Sequence, residues 1–369
     1  MNSLPKTLDD TYARILCNIP EDHSQHAIRI LQWLTYSERP LQINELAETV
    51  AVNVDGNPWF QEEERFPETQ EILKICSSLV IVDKGSRNQD HGTDGESDNE
   101  GDDEGGAESD GKIPPTVRLA HFSVKEYLVS ERNQGNQAAA KYAIQQTSAH
   151  ESIAAVCLAY LLQFDHRDSL TPDTLEEFPL ALYSARNRTR HARELGRDLG
   201  SVQVLGHTLC LVQKEAYVNW LQLYDAKHRM INTDSRLDVM NYATPLYLMS
   251  LDGVSGMVRY LVDLGADVNA RGGFRGNALQ AASYKGHESV VQLLLSGGAD
   301  VNAEGGSFGN ALVAASWAGK EAVVQLLLEW RADVNARDVR YGDALQAASD
   351  RGHDAVIEVL EEWGADNVD

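Results

Sequence analysis

Two residues of types that can act as base and nucleophile stand close together in the chain, namely His121 and Ser123. An imidazole within hydrogen-bonding reach of a hydroxyl is the arrangement that activates serine for nucleophilic attack. Ser123 also opens the segment Ser123-Val-Lys-Glu126, which predicts the start of a helix, and serine is a preferred cap at such a position. We therefore expect Ser123 to cap a helix, and we assign no catalytic residue to the chain.

The sequence also lacks the motifs that are typical of nucleotide-binding and metal-binding sites. A phosphate-binding loop ends in Gly-Lys-Ser/Thr, but the pairs Gly111–Lys112 and Gly319–Lys320 are followed by Ile and Glu. No C-x-x-C or H-E-x-x-H spacing occurs, and we expect His287 and His353, which follow turn glycines, to hydrogen-bond those turns. The sequence therefore predicts no enzyme activity, no cofactor and no metal site. The cysteines, which we expect to be reduced and buried among apolar helical residues, are Cys17, Cys76, Cys157 and Cys210.

Charge is the strongest constraint from composition, since 32 Lys and Arg stand against 56 Asp and Glu, a formal net charge of −24. Nucleic-acid affinity depends on basic residues that displace counterions from phosphates, and anionic membranes select basic surfaces in the same way. The composition therefore argues against nucleic-acid and membrane binding and leaves a protein as the expected partner; a small-molecule ligand is not expected. An N-terminus without a secretory signal favours an intracellular location, the cytoplasm first and the nucleus second.

A repeat with a period of 33 residues occupies the C-terminal third, and it is marked by Leu246, Leu279, Leu312 and Leu345. Around these leucines a similar sequence motif recurs, as TPLYLMS, NALQAAS, NALVAAS and DALQAAS, and each copy is followed by a segment such as VVQLLLSGGADVNA. Both blocks resemble the ankyrin repeat, a pair of helices that stacks on its neighbours to bury a shared core. We predict four repeats, which cover residues 242–276, 277–309, 310–342 and 343–369.

Single residues within the repeat agree with that register. Asn277, Asn310 and Asp343 hold the position of the usual Thr, and their side chains can cap the first turn of a helix. A glycine follows the second helix of most repeats because a left-handed backbone is needed there, but the third repeat has Arg331 instead. The last repeat has Glu361 where two earlier repeats have leucine, so we expect the array to end in a polar face.

Residues 1–132 predict a different unit, with helices followed by a small β-hairpin. The hairpin strands are Leu79–Asp83 and Val117–His121, and this order of elements outlines a winged-helix-like domain. Between the strands lies an insertion, residues 84–115, whose central part (88–111) has ten Asp or Glu, six Gly and no Lys or Arg. A segment of that composition cannot bury enough apolar surface to fold, so we expect it to be disordered.

DNA binding is the main rival interpretation of the first unit, since many winged helices insert a helix into the major groove. The candidate helices here are Asn44–Val52 and Glu68–Leu79, and the first carries two Glu and no basic residue. Beside an acidic wing, such a helix would be repelled by phosphates. We therefore expect this unit to serve as a packing module between domains.

Residues 133–241 show long helical patterns and predict an all-helical connector that covers the N-terminal face of the repeats. The fold class is then mainly all-α, with a winged-helix-like N-terminal unit, a helical connector and an ankyrin-repeat solenoid. Segments such as LPKTLDDTYARIL, RLAHFSVKEYLVSE and CLAYLLQF resemble the region that follows the nucleotide-binding NACHT domain in fungal NACHT–ankyrin receptors. That resemblance implies ligand sensing by the repeats. The chain is then either an adaptor-like relative without the NACHT domain or a fragment of a longer ATP-switched receptor.

The predicted binding surface is the concave side of the array, made of the hairpin tips and the exposed face of each first helix. Aromatic residues and Arg are the types that anchor interfaces. The candidates for partner contact are Arg275, Tyr284, Lys285, Trp317, Arg340 and Arg351. Phe274, Phe308 and Tyr341 recur at the hairpins, and we expect them to pack there instead. The function that the sequence predicts is a scaffold or sensor for protein–protein interaction.

Overall fold

The computed structural model shows a mainly α-helical chain that divides into two compact units. One unit comprises Met1–Ala51 and Glu62–Gln145, and the other comprises Val52–Gln61 and Gln146–Asp369. Within the described part of the chain, no helix is both long enough and apolar enough to span a bilayer. The domain boundaries expected from the sequence stay a prediction. The described residues are 7–56, 58–66, 68–76, 78–83, 115–130, 138–166, 169, 175–212, 214–225 and 243–364.

Short helices and a small antiparallel sheet form the described part of the first unit. Its elements are α1 (Leu8–Cys17), α2 (Ser24–Tyr36), β1 (Leu41–Gln42), α3 (Ile43–Glu48), α4 (Glu71–Ile75), β2 (Val80–Asp83), β3 (Thr116–Leu119) and α5 (Phe122–Val129). Strand β3 lies between the other two, with Val117 opposite Leu41 and Leu119 opposite Val80. The sequence predicted the β2–β3 hairpin but missed β1, because two residues are too few to show an alternating pattern. Residues 84–114, nearly all of the predicted acidic insertion, lie outside the described residues.

Two helices of this unit are capped by side chains. Thr7 accepts a hydrogen bond from the Asp10 N–H at 3.1 Å and caps α1. Helix α5 begins two residues earlier than expected, at Phe122, and its cap is His121, whose Nδ1 accepts the Ser123 N–H at 3.2 Å. The expectation that Ser123 is the cap was therefore wrong. A histidine can replace it because an unprotonated ring nitrogen is a hydrogen-bond acceptor.

A layer of helices precedes the repeats in the second unit. These helices are α6 (Gln146–Leu162), α7 (Ala181–Glu194), α8 (Ser201–His207) and α9 (Lys214–Asp225), with a π-helical turn at Thr208–Val212. Helix α6 packs against both α7 and α8, so that Ile153, Val156 and Tyr160 along its length are fully buried. Phe60, from the segment Val52–Gln61, packs edge-on against Tyr160 with ring centroids 5.4 Å apart. These helices agree with the connector that the sequence predicts.

Four pairs of helices follow this layer. The first helices of the pairs are α10 (Pro245–Leu251), α12 (Ala278–Lys285), α14 (Ala311–Trp317) and α16 (Ala344–Ser349), and the second helices are α11 (Ser255–Asp263), α13 (Glu288–Ser296), α15 (Glu321–Glu329) and α17 (Asp354–Glu362). First helices contact first helices of the next pair, and second helices contact second helices. Leu279, Leu312 and Leu345, which mark the 33-residue period, are all buried. The pairs therefore stack as the sequence predicts and bury one apolar core.

Hydrogen bonds from the connector reach the first pair. Arg193 Nε donates to the Asp252 carbonyl oxygen at 2.9 Å. Tyr217 OH donates to the Ala243 carbonyl oxygen at 2.7 Å, one residue before the cap of α10. These two bonds tie the helices before residue 226 to the first of the described helix pairs.

Side-chain caps begin each first helix at equivalent positions. Thr244, Asn277, Asn310 and Asp343 each accept the backbone N–H three residues further on, at distances from 2.8 to 3.2 Å. The caps predicted for the last three are confirmed. Each cap satisfies a backbone donor that a helix terminus would otherwise leave without a partner.

Asparagine side chains hydrogen-bond each repeat to the next one. Asn269 Nδ2 donates to the Gly298 carbonyl oxygen at 3.1 Å, and Asn269 Oδ1 accepts the Asp300 N–H at 2.8 Å. Asn302 makes the same two bonds to the following repeat, at 3.3 and 2.8 Å. One side chain therefore satisfies two backbone groups of its neighbour, which accounts for the recurrence of GADVNA in the sequence.

A left-handed backbone follows each second helix. The residues at this position are Gly265, Gly298, Arg331 and Gly364, with φ of 86°, 91°, 68° and 86°. Among the described residues, Arg331 is the one residue other than glycine with a positive φ. A side chain in this conformation costs about 1 kcal/mol. Arg331, which stands where the other repeats have glycine, is therefore a point of backbone strain.

We expect Arg331→Gly to raise the free energy of unfolding by about 0.5–1 kcal/mol, because it removes this strain at some cost in unfolded-chain entropy. Urea unfolding followed by circular dichroism measures the change. The matched control is Arg331→Ala, which removes the same charge and keeps a Cβ, so it should give no such gain. A lower midpoint for the glycine variant than for the wild type would contradict the assignment.

The turn between the two helices of a repeat touches the next repeat. Gly253, Gly286 and Gly319 have positive φ, and a Cβ added at each would lie 2.7–2.8 Å from a side chain of the following repeat. At Gly319 that side chain is the ring of His353. Gly352, the equivalent residue of the fourth repeat, would meet nothing within 4 Å.

Alanine at these turns separates backbone strain from close packing. Gly319 and Gly352 have nearly equal φ of 64° and 67°, so both substitutions cost about 1 kcal/mol in strain. Gly319→Ala should cost roughly 1–2 kcal/mol more, because its methyl group collides with His353. Chemical unfolding of the two variants measures the difference. Equal losses would show that the turn does not touch the next repeat.

Candidate binding surface of the ankyrin array

Four aromatic side chains form a continuous series across the second and third repeats. Phe308 stacks on Tyr284 with ring centroids 5.0 Å apart and on Tyr341 with centroids 5.1 Å apart. Trp317 packs against Tyr341 at 4.6 Å in a tilted arrangement. Such ring pairs contribute about 1 kcal/mol each beyond their buried area. We call Tyr284, Phe308, Trp317 and Tyr341 the aromatic rail.

Two positions of the repeat supply the rail. Phe308 and Tyr341 stand 33 residues apart on successive hairpins, and Tyr284 and Trp317 stand 33 residues apart near the ends of α12 and α14. Stacking of repeats places equivalent positions side by side, so aromatic residues at these positions meet. The rail is therefore a consequence of the period and of which residue types occupy it.

Hydrogen bonds hold the hairpin tips that carry the rail. The Gly305 N–H donates to the Gly309 carbonyl oxygen at 2.7 Å, and Asp338 and Gly342 close the next tip in the same way at 2.7 Å. Gln280, which is buried in α12, places its Nε2 within 3.1–3.2 Å of three carbonyl oxygens in the stretch Ala303–Gly309. The rail is therefore held in place before any ligand arrives, which lowers the entropic cost of binding.

Cationic side chains lie over both ends of the rail. The guanidinium of Arg275 lies 4.4 Å from the centre of the Tyr284 ring, and that of Arg351 lies 4.9 Å from the Trp317 ring. Contacts of this kind contribute about 0.5–1 kcal/mol at exposed sites. Lys285 and Arg340, which are also predicted contact residues, lie farther from the rail. The Lys285 Nζ is 5.9 Å from the centre of the Tyr284 ring, and the Arg340 Cζ is 6.0 Å from that of Tyr341.

All six predicted contact residues thus belong to the rail or border it, although their contact with a partner stays a prediction. Phe308 is buried and packs as expected, but Tyr284, which was expected to be a contact residue, stacks on it. Trp317 is half-buried against Tyr341. Phe274 is 43% exposed, so the expectation that it packs in its hairpin was wrong. Residues expected to pack in the hairpins and residues expected to contact a partner therefore lie side by side on one surface.

Charge is divided unevenly between two faces of the array. From Arg271 onward, we call the face formed by the hairpins and first helices the concave face; it comprises residues 271–286, 304–319 and 337–352. The outer face comprises residues 287–303, 320–336 and 353–364. The concave face carries six Arg or Lys and four Asp or Glu, whereas the outer face carries two and nine. In a chain with a net charge of −24, the rail therefore lies on a face with a small excess of positive charge.

The two repeat histidines bond to backbone rather than to a ligand. His287 Nε2 lies 3.1 Å from the Leu251 carbonyl oxygen, and His353 Nε2 lies 3.1 Å from that of Trp317. Burial lowers the pKa of His287, and the nearby Arg193 lowers it further, so the neutral ring is favoured. The expectation that these residues hydrogen-bond the turns of their own glycines was therefore wrong in the partner, because each bond goes to the preceding repeat. Within the described ranges, no three His, Cys, Asp or Glu side chains converge on a possible metal position.

Two serines lie in settings that resemble a nucleophile site. Ser123 Oγ is 2.7 Å from both His121 Nδ1 and Tyr12 OH, but the same Nδ1 caps α5. Ser307 lies in Gly305–Gly309, and the residues Gly-Gly-Ser-Phe-Gly match the nucleophile pattern G-x-S-x-G. This match is present in the sequence but was not among the predictions made from it. Ser307 stands on a hairpin between helices rather than after a strand, and its Oγ is buried without a hydrogen-bond partner in the described structure. We assign a catalytic role to neither.

All four cysteines are free thiols. Cys76, Cys157 and Cys210 are buried, and burial raises the pKa of the first two to about 12 and of the third to about 11. These thiols stay protonated and unreactive at neutral pH. Cys17 is exposed at the end of α1, so the expectation that all four are buried was wrong for this residue.

Helix α3, which covers the first part of the candidate DNA-contacting helix Asn44–Val52, directs its acidic groups into its own unit. Glu45 and Glu48 are both buried. Glu45 pairs with Arg39, and Glu48 Oε1 lies 2.8 Å from Arg65 Nε. Paired, buried carboxylates are typical of a packing helix, and nothing on α3 offers the basic groups that phosphates require.

Comparison with known families identifies both parts of the chain. The family described as ankyrin repeats (3 copies) matches residues 209–305 and 274–338, and its match begins before the predicted first repeat at residue 242. The family described as GPI inositol-deacylase, winged helix domain matches residues 14–95. The chain therefore contains ankyrin repeats and a winged-helix domain of this type, within the mainly α-helical class that the sequence predicts. Ankyrin repeats support a role in protein–protein interaction.

One similar protein is the Azaphilone pigments biosynthesis cluster protein L of Monascus ruber. The two sequences are 37% identical over 299 residues, which is 78% of this chain and 58% of the relative. The chain thus spans little more than half of the length of the relative that it matches.

Because Trp317 packs within the rail, its removal should affect stability as well as binding. We expect Trp317→Ala to lower the free energy of unfolding by about 1–2 kcal/mol, since it removes contacts with Tyr341 and Arg351. The control is Arg351→Gln, an exposed position where the loss should stay below about 0.5 kcal/mol. Thermal and urea unfolding measure both. If Trp317→Ala melted like the wild type, the rail would not contribute to folding.

Proposed function

We propose that the chain is a protein-interaction scaffold or sensor that binds a partner protein through the concave face of its ankyrin array. The observation that carries this proposal is the aromatic rail with Arg275 and Arg351 over its ends. Aromatic and arginine side chains dominate the binding energy of interfaces, because they bury large areas at a small entropic cost. A rail that is already ordered by its hairpins adds to that advantage.

Exposed apolar tips beside the rail support the same proposal. Val339 is fully exposed at the tip of its hairpin, and Phe274 is 43% exposed on the hairpin two repeats earlier. A partner that lay along the concave face would cover such side chains and remove apolar area from water.

A non-catalytic role is part of the proposal. His287 and His353 are engaged with backbone carbonyls, and His121 caps a helix. We also propose an intracellular location, with the cytoplasm first, because all four cysteines are free thiols and such thiols are typical of reducing compartments.

The resemblance to NACHT–ankyrin receptors supplies a more specific form of the proposal. In that form the chain is the regulatory half of such a receptor, and it acts either alone as an adaptor or as part of a longer, ATP-switched protein. The greater length of the Monascus ruber relative, of which the chain matches 58%, favours the second candidate. Sequencing of full-length transcripts separates the two, since an upstream phosphate-binding loop would appear in the longer form alone.

Site-specific photocrosslinking in the native cell tests partner binding through the concave face. The photoreactive residue benzoylphenylalanine replaces Val339 at a hairpin tip in one protein, and it replaces Gln325 on the outer helix α15 in the control. Both residues are exposed, so both substitutions preserve the fold. We expect a discrete protein adduct from Val339 and none from Gln325.

A second substitution ties the adduct to the rail. Arg351→Glu, combined with the Val339 probe, should abolish the adduct because it reverses the charge over Trp317. Adducts of equal yield from both probe positions, or an adduct that survives Arg351→Glu, would overturn the proposed binding face.

A further inference from the structure

We infer that the segment bound along the aromatic rail is an acidic stretch of a partner protein, with apolar side chains between its carboxylates. This inference rests on the proposed function and adds the chemistry of the partner. It depends on the charges beside the rail, on the geometry of the two stacked arginines and on the burial of the rail rings.

The first argument is the imbalance of charge between the faces. The concave face has an excess of two positive charges, and the outer face has an excess of seven negative charges. Composition alone would make both faces acidic, because the whole chain carries −24. An acidic segment is therefore attracted to the concave face and repelled from the outer face, which favours encounter in one orientation.

The second argument is that the basic residues around the rail have no acidic partner of their own. Within the described structure, no Asp or Glu forms an ion pair with Arg275, Lys285, Arg340 or Arg351. In contrast, Arg337 on the same face lies 3.6 Å from Asp343. The Nε of Arg275 is also buried without a hydrogen-bond acceptor among the described residues. The charges of these four side chains are therefore not neutralised by a carboxylate of the described structure, although the buried Nε of Arg275 is out of reach of an external ligand.

The third argument is geometric. The guanidinium of Arg275, a partly exposed residue, lies over the Tyr284 ring, and that of Arg351, an exposed residue, lies over the Trp317 ring. A planar guanidinium that is already held in place can bind a carboxylate through two parallel hydrogen bonds with little further loss of entropy. One such group lies over each end of the rail, so an extended segment could be held at two points with apolar contacts between them.

Single-stranded nucleic acid is the other ligand that combines negative charge with aromatic contacts. Its bases need ring faces on which to stack, but Phe308 is buried, with Tyr284 on one side and Tyr341 on the other. A polyphosphate backbone would also be repelled by the rest of a chain with a net charge of −24. The structure therefore favours a protein segment, whose carboxylates are fewer and more widely spaced.

Fluorescence anisotropy with the full chain tests this inference. The probe is a fluorescein-labelled peptide that alternates Glu with Leu, and the comparison probes are a Lys–Leu peptide of equal length and a single-stranded oligouridine. We expect the Glu–Leu peptide to bind at least about tenfold more tightly than either comparison probe. Binding should weaken as sodium chloride is raised, since the charged contacts are screened.

Two matched substitutions locate the site. Arg275→Gln and Arg351→Gln should each weaken the Glu–Leu peptide by about tenfold, because each removes a charge-assisted contact. Arg331→Gln removes the same charge from the outer face and should change the Kd by less than about twofold. Melting curves confirm that each variant is folded before its Kd is compared.

Three outcomes would overturn the inference: equal binding of the Glu–Leu and Lys–Leu peptides, tighter binding of the oligouridine, or no effect of the two rail substitutions. The crosslinking experiment at Val339 distinguishes a failure of this inference from a failure of the proposed function. If Val339 captures a partner whose crosslinked segment is not acidic, the acidic-segment inference fails and the binding face stands. If Val339 captures no partner, the proposed function itself fails.

Discussion

Adjacent repeats of the array complete one another, and this constraint underlies the rest of the second unit. A pair of helices cannot bury its apolar stripe alone, so Leu279 and Leu312 become core residues through the next pair. The polar groups follow the same logic, because Asn269 and Asn302 satisfy backbone atoms that belong to the following repeat. Even the turn at Gly319 is shaped by a neighbour, since the ring of His353 fills the space where a side chain would stand.

The candidate binding surface is a product of the same stacking. Tyr284, Phe308, Trp317 and Tyr341 come from two repeats and touch because equivalent positions are brought side by side. Folding and recognition therefore draw on one set of side chains. The packing that forms the core also holds the rings of the surface in place.

Features that depend on residues a few positions apart could be predicted from the sequence. The helix pairs, the caps at Asn277 and Asp343 and the exceptional turn at Arg331 all follow from the 33-residue period. The cap of α5 was missed because serine is the commoner cap, whereas the extended backbone of His121 brings its own ring nitrogen into place. The contact of Trp317 with Tyr341 depends on side-chain directions on a helix and on a hairpin that are distant in the sequence, which no spacing in one sequence reveals.

Strain at Arg331 has a consequence for the motions of the array. In a linear stack the interfaces contribute separately to stability, so a weak link between two repeats eases the local opening of whatever lies beyond it. Beyond Arg331 lie α16 and α17, together with the Tyr341 and Arg351 side chains that close one end of the rail. A ligand that binds at this end of the rail stabilises the conformation in which α16 and α17 are docked on the array. The fraction of ligand-bound protein and the order of these last helices should therefore increase together.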